Sequence, residues 1–218
     1  MSTLPTCRSD PSMRGCNNGP VRALVHIALS LAPAVAFSCA GHGNASLGPG
    51  PMFFPDASCP VEIDEPPVTS WQHVAIPSQI EWNSNPPSSG DHYPIWAAFQ
   101  EYSTPVPRGY YVHDLEHGAI VFLYNCARYD AACSDIVMAL QAASSAIPDD
   151  PLCTSLGEGV RVRVVITPDP LIDVPVAAAS WGWVYKAECV DPLTLRDFAL
   201  QHYGHGRETF CSNGTAQF

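Results

Sequence analysis

The sequence predicts a mixed α/β (α+β) two-layer sandwich, with a β-α-β-β-α core preceded by a long Pro-rich irregular segment and stapled by disulfides. Three observations point to it. Apolar runs suited to strands occur at Ala119 to Tyr124, Gly159 to Thr167 and Val176 to Ala187. Two helical patterns lie between and after them, and six cysteines fall in the part of the chain beyond a leader.

The leader is residues 1–38, where Arg14 and Arg22 precede the apolar run Ala23 to Phe37 and no acidic residue interrupts it. This is the pattern of a signal peptide. Met13 is an alternative start, because residues 1–12 add nothing to that pattern. Ala36-Phe37-Ser38-Cys39 fits a lipoprotein-type cleavage site, so a lipid anchor at Cys39 and a place in the cell envelope are expected, with plain secretion as the alternative. The apolar run is about 15 residues and contains Pro33, short of the roughly 20 a membrane-spanning helix needs.

Residues 39–60 read as a flexible tether, since Gly41 to Gly50 is rich in Gly, Asn, Ser and Pro without periodicity. A single domain follows, residues 61–218. Its first half is expected to be mostly loop up to residue 111, because Pro66-Pro67 and Pro86-Pro87 force extended or turn backbone.

Ala119 to Tyr124 is a continuous apolar run suited to a strand buried on both faces. Ser134 then caps a helix whose Ile136, Val137, Leu140 and Ala143 recur at helical spacing up to Ile147-Pro148. Val160, Val162 and Val164 alternate in the second strand, and Val176 to Ala187 forms a third. The last helix starts at Asp191 with Pro192 in its first position and closes at Gly204, with Leu195, Phe198, Ala199 and His202 on one face.

The chain carries a formal net charge of -11, and beyond the leader only Lys186 and six arginines balance the carboxylates. No basic stripe is present, so a nucleic-acid partner is not expected. Cys59, Cys126, Cys133, Cys153, Cys189 and Cys211 predict three disulfides. Cys189 with Cys211 is the expected pair, the other four supplying two bridges. No Cys-x-x-Cys spacing suggests a structural zinc site.

The densest chemistry lies in Val112-His113-Asp114-Leu115-Glu116-His117-Gly118. A helical turn brings residues four apart to roughly 6 Å, whereas extended chain separates them by about 13 Å. Only the helical reading lets His113 and His117 share one ion. The apolar run after Gly118 limits that helix to a single turn entering the core. His92 lies upstream in a loop of turn-formers, Asn83 to Pro94, which presents side chains rather than burying them.

The blocks Asn83 to Pro94, Pro105-Val106-Pro107, Tyr111 to Gly118 and Ala179-Ser180-Trp181-Gly182 resemble the bacterial DUF3105 family over roughly residues 70–208. That family has no established activity to carry over, and its members follow an export or anchoring segment. Ser88 stands for the family's Thr, Asp91 for its Pro and Asp114 for its Asn, all read as surface-compatible. Gly206-Arg207-Glu208 stands where the family tends to read Gly-Pro-Glu.

The residues themselves predict a metal site of His92, His113 and His117, with Glu116 as fourth ligand or acid/base group. Imidazole-rich sites suit copper(II) or zinc in an exported protein, with metal binding or handling rather than a defined reaction as the role. A second reading is a non-catalytic envelope module in which Glu116 pairs with Arg108, the histidines are structural, and Trp71, Trp82, Tyr93, Trp96 and Tyr110 supply a contact surface. A third is a zinc-dependent hydrolase, since His113-x-x-Glu116-His117 matches a short zinc-peptidase pattern that ordinarily sits on a long helix.

Overall fold

The computed structural model describes residues 59–218 except Glu158 and Gln217. The leader and all but the last two residues of the tether lie outside the described residues. Among the described residues no helix is long and apolar enough to cross a membrane.

The expected α+β class is what the chain adopts. Five strands, β1 (Val61–Asp64), β2 (Ile120–Tyr124), β3 (Val164–Pro168), β4 (Val176–Ser180) and β5 (Trp183–Ala187), form one sheet in the order β1-β5-β4-β2-β3. Only β2 and β3 run parallel. Between them the chain passes through α2 (Cys133–Ala146) and the short α3 (Pro151–Thr154), as a parallel pair requires a long crossover. The central strands β2 and β4 are buried at every position.

Strand periodicity sorts the sheet's residues onto two faces. Ile120, Phe122, Ile166, Val176 and Tyr185 face a core completed by Ile136 and Leu140 of α2 and by Leu195 and Phe198 of α4 (Pro192–His202). Val121, Leu123, Val165, Ala177 and Ala179 face the other way, onto Tyr111, Val112 and Leu115 of α1 (Arg108–Glu116) and Ala97, Tyr102 and Val106 of the Pro-rich segment. That segment, largely irregular as expected, is thus the cover of the second face.

Several boundaries differ from expectation. Val176 to Ala187 is a hairpin of two strands rather than one strand, because Ser180 pairs with Trp183 across a two-residue turn whose Gly182 has φ 77°. The second strand starts at Val164 rather than Gly159. There Arg161 turns away to donate to the carbonyls of Ile147 and Ser144 at the end of α2. Helix α2 has Ala132, not Ser134, at its cap and no side-chain cap bond. Its first residue, Cys133, is tied instead to Cys126. Helix α4 starts as predicted, with Asp191 accepting from the backbone N–H of Leu193 and Thr194. It ends at His202, and Gly204 takes φ 79° two residues later.

The three disulfides are Cys59–Cys189, Cys126–Cys133 and Cys153–Cys211, so the expected Cys189–Cys211 pair is corrected. Cys211, after α4, is tied instead to Cys153 in α3. Sheet register explains the real partner of Cys189. Val61 faces Ala187 in the β1–β5 pair, and two residues further out on each strand Cys59 meets Cys189.

Candidate metal centre

Helix α1 is unusual in what it buries. From Tyr111 to Glu116 every residue is buried, including His113, Asp114 and Glu116, and His117 at its C-cap is buried too. Ionisable groups leave water at a cost of several kcal/mol unless partners replace the solvent. The motif is not a single turn but the end of a nine-residue helix. His113 and Glu116, three apart, share one side of it. The helix stops because Gly118 takes φ 83°, and a Cβ there would press on the Gly204 backbone.

Two extended segments bring further imidazoles to that side. His73 and His92 form an isolated parallel bridge, with Val74 N–H donating to His92 O at 2.8 Å and His92 N–H to Gln72 O at 3.0 Å. Asp91 fixes this register by accepting from Ser70 Oγ and from Gln72 N–H. Trp82 Nε1 donates to Asp91 O and holds the loop from below.

The result is a cluster of His73, His92, His113 and Glu116, whose candidate ligand atoms all lie within 4.8 Å of one another. The three rings are nearly equidistant, with centroids 4.9, 4.8 and 4.8 Å apart. Ligands on one ion at about 2.0–2.1 Å can be no more than about 4.2 Å apart. In a tetrahedral set the ligand atoms stand about 3.4 Å apart, so closing the widest separation needs a shift of about 1.4 Å. His73 can supply it, since its side chain is 51% exposed whereas those of His92 and Glu116 are at 0% and 2%.

Hydrogen bonding fixes which nitrogens face inward. A carbonyl only accepts, so His113 Nδ1 donates to Tyr93 O at 2.7 Å and His92 Nδ1 to Gly90 O at 2.8 Å. The Nε2 atoms are left for the cluster, and His92 Nε2 sits 3.1 Å from Glu116 Oε2. Such carbonyl-anchored imidazoles are what metal ligands ordinarily show. Burial pushes the His113 imidazole down to about 4, against the upward pull of the Tyr93 carbonyl. For Glu116, burial pushes the carboxyl up, but the His92 bond and charge and Arg207 outweigh it, leaving it below the usual carboxylate range. Neutral His113 and ionised Glu116 are the protonation states a divalent ion needs.

Of the residues expected at this site, His92, His113 and Glu116 come together. His117 is not among the clustered ligand atoms. Its ring packs between Trp96 and Phe210 and against His113, with centroids 4.6, 5.0 and 4.6 Å away. Its Nε2 lies 3.6 Å from Glu208 Oε2, and its buried Nδ1 has no partner among the described residues. His73, which the sequence reading did not single out, stands in its place.

Other expectations are corrected. Arg108 pairs with Asp169 and Asn85, not Glu116, whose Oε1 accepts from Arg207 at 3.0 Å. Ser88 and Asp114 are fully buried rather than surface positions. Burial holds the Asp114 carboxyl well above its usual range despite the Ala97 N–H bond. Arg207 and Glu208 reach the site because Gly206 lies against the end of α1, where a Cβ would overlap Gly118 N and Glu116 O. The aromatic residues serve mainly as walls, with Trp96 tilted against His113 and Trp181 edge-on to His92.

The buried histidines make the metal-free domain acid-sensitive. Burial is the main cause that lowers His113, His117 and His202 to about 4. The unfolded chain takes up these protons near about 6.5, so its proton count exceeds the folded state's between about 6.5 and 4. Stability is expected to be fully present above about pH 6.5 and to fall by several kcal/mol on the way to about pH 4. Urea unfolding of metal-free protein across this range checks it, and a flat profile contradicts it.

A family model described as a protein of unknown function, DUF3105, matches residues 73–213. No curated protein and no solved structure matches the chain.

Proposed function

The chain belongs to the DUF3105 family, which supplies no activity, and we propose that it is an exported metal-binding domain in which His73, His92, His113 and Glu116 hold a copper(II) or zinc ion. Its role is to bind or handle the metal rather than to carry out a defined reaction. Anchoring through a lipid on Cys39 would place it in the cell envelope, and three disulfides suit the oxidising conditions there.

The observation that carries this reading is the facing of acceptors. His92 donates through Nδ1 to Gly90 O and turns Nε2 to the Glu116 carboxylate at 3.1 Å inside the protein. Two acceptors at that distance need a cation or a proton between them, and His113 Nε2 and His73 converge on the same place. Three imidazoles and a carboxylate suit copper(II) and zinc.

The interaction-module reading gains little, because Trp82, Tyr93, Trp96 and Tyr110 are half-buried and only Trp71 of that set is exposed. The hydrolase reading has no free general base, since both oxygens of Glu116 are engaged.

The test is metal content. Tag-free protein, residues 39–218, exported to an oxidising compartment and weighed intact under native conditions, is expected to carry one equivalent of copper or zinc. Protein that emerges without metal, and takes up neither added ion, overturns the proposal.

A further inference from the structure

The four clustered side chains are unequally accessible, which gives the centre one open side. His92, His113 and Glu116 are at most 2% exposed and His73 is exposed. Of the four, His73 is thus the ligand that faces solvent. Beside that opening stands Arg207. Its Nη1 donates to Glu116 Oε1 at 3.0 Å and to Glu208 Oε1 at 3.4 Å, and its guanidinium lies 4.9 Å from the ring centroid of Trp71. Among the described residues its Nε and Nη2 donate to nothing.

Charge makes this opening different from the rest of the protein. The chain has a formal net charge of -11. A divalent ion and Arg207, set against the Glu116 and Glu208 carboxylates that Arg207 contacts, sum as +2, +1, -1 and -1 to one positive charge. A guanidinium with free donors offers a planar fork that matches a carboxylate or carbonate better than a spherical anion. The half-exposed indole of Trp71 already orders that guanidinium, which lowers the entropy lost on binding.

We propose that the mouth formed by His73, Arg207 and Trp71 is a binding position for a small oxyanion of the carboxylate or carbonate type. One oxygen sits on the metal ion and another on the Arg207 fork. The inference rests on the metal site proposed above and names the class of external ligand that site takes. It also gives the remaining donors of Arg207 a partner.

The test uses copper(II)-loaded domain, with metal content measured first so that every comparison is made at equal occupancy. Acetate and bicarbonate are titrated while the copper absorption and electron paramagnetic resonance spectra are followed. Saturable shifts are expected in the unaltered protein. Arg207→Met is expected to weaken both anions about 10- to 100-fold, as loss of a charge-assisted pair of hydrogen bonds implies. Arg207→Lys, which keeps the charge without the fork, is expected to fall between. Copper-loaded protein that shows no anion response, or an Arg207→Met variant that binds as tightly as the original, overturns this inference and leaves the metal site standing. Protein that takes up no copper overturns both.

Discussion

His113→Ala is expected to abolish tight metal binding, weakening copper(II) or zinc affinity by more than about 100-fold, the upper range seen when only an outer hydrogen-bond partner of a ligand is lost. The imidazole is held by its bond to Tyr93 O and packs against Trp96, so its removal takes away a positioned ligand. His73→Ala is expected to be nearly as damaging, whereas His117→Ala, outside the clustered ligand atoms, is expected to cost about 10-fold or less. The order of the three variants in a competition titration with a chelator decides between the ligand set expected from the sequence and the one the fold assembles. Equal losses for His113→Ala and His117→Ala, with His73→Ala silent, would return His117 to the site.

Arg163→Met is expected to cost about 3–5 kcal/mol of folding stability, the range for removing one member of a buried ion pair. Arg163 is 3% exposed and Asp150 8%. Its Nη2 donates to Asp150 Oδ2 at 2.8 Å, its Nη1 to His117 O and Phe210 O, and Tyr203 closes the network with a 2.7 Å bond to the same Asp150 oxygen. Methionine fills the volume but leaves the Asp150 carboxylate buried without its cation and the His117 carbonyl without its donor. For a domain of this size the loss corresponds to a fall in Tm of about 6–20 °C. Arg163→Met combined with Asp150→Asn is expected to recover part of it, since the uncompensated charge is gone. A single variant that melts within about 2 °C of the original contradicts this account of the network.

That network shows where sequence reading stops. Alternation of Val160, Val162 and Val164 puts Arg163 on a polar face in any local reading. The fold reverses this by laying the end of α1 and the segment after α4 over it, contacts made across 46 and 40 residues. Local signals worked where local physics governs. The apolar run became β2, and Asp191 with Pro192 began α4. Partners set by long-range register were not legible. Cys59 meets Cys189 only because β1 pairs with β5, and His73 meets His92 only through an isolated bridge between two irregular segments. The hairpin at Trp181-Gly182 was hidden because the apolar run continues through its turn.

The central claim is that one ion is held by three imidazoles and one carboxylate oxygen. X-ray absorption at the copper or zinc edge of the loaded, tag-free domain tests it most directly. The account predicts a first shell of nitrogen and oxygen at about 2.0–2.1 Å, with the outer-shell scattering of three imidazoles, falling to two in His73→Ala. A shell containing sulfur, or fewer than two imidazoles, or an imidazole count unchanged in His73→Ala, would contradict it.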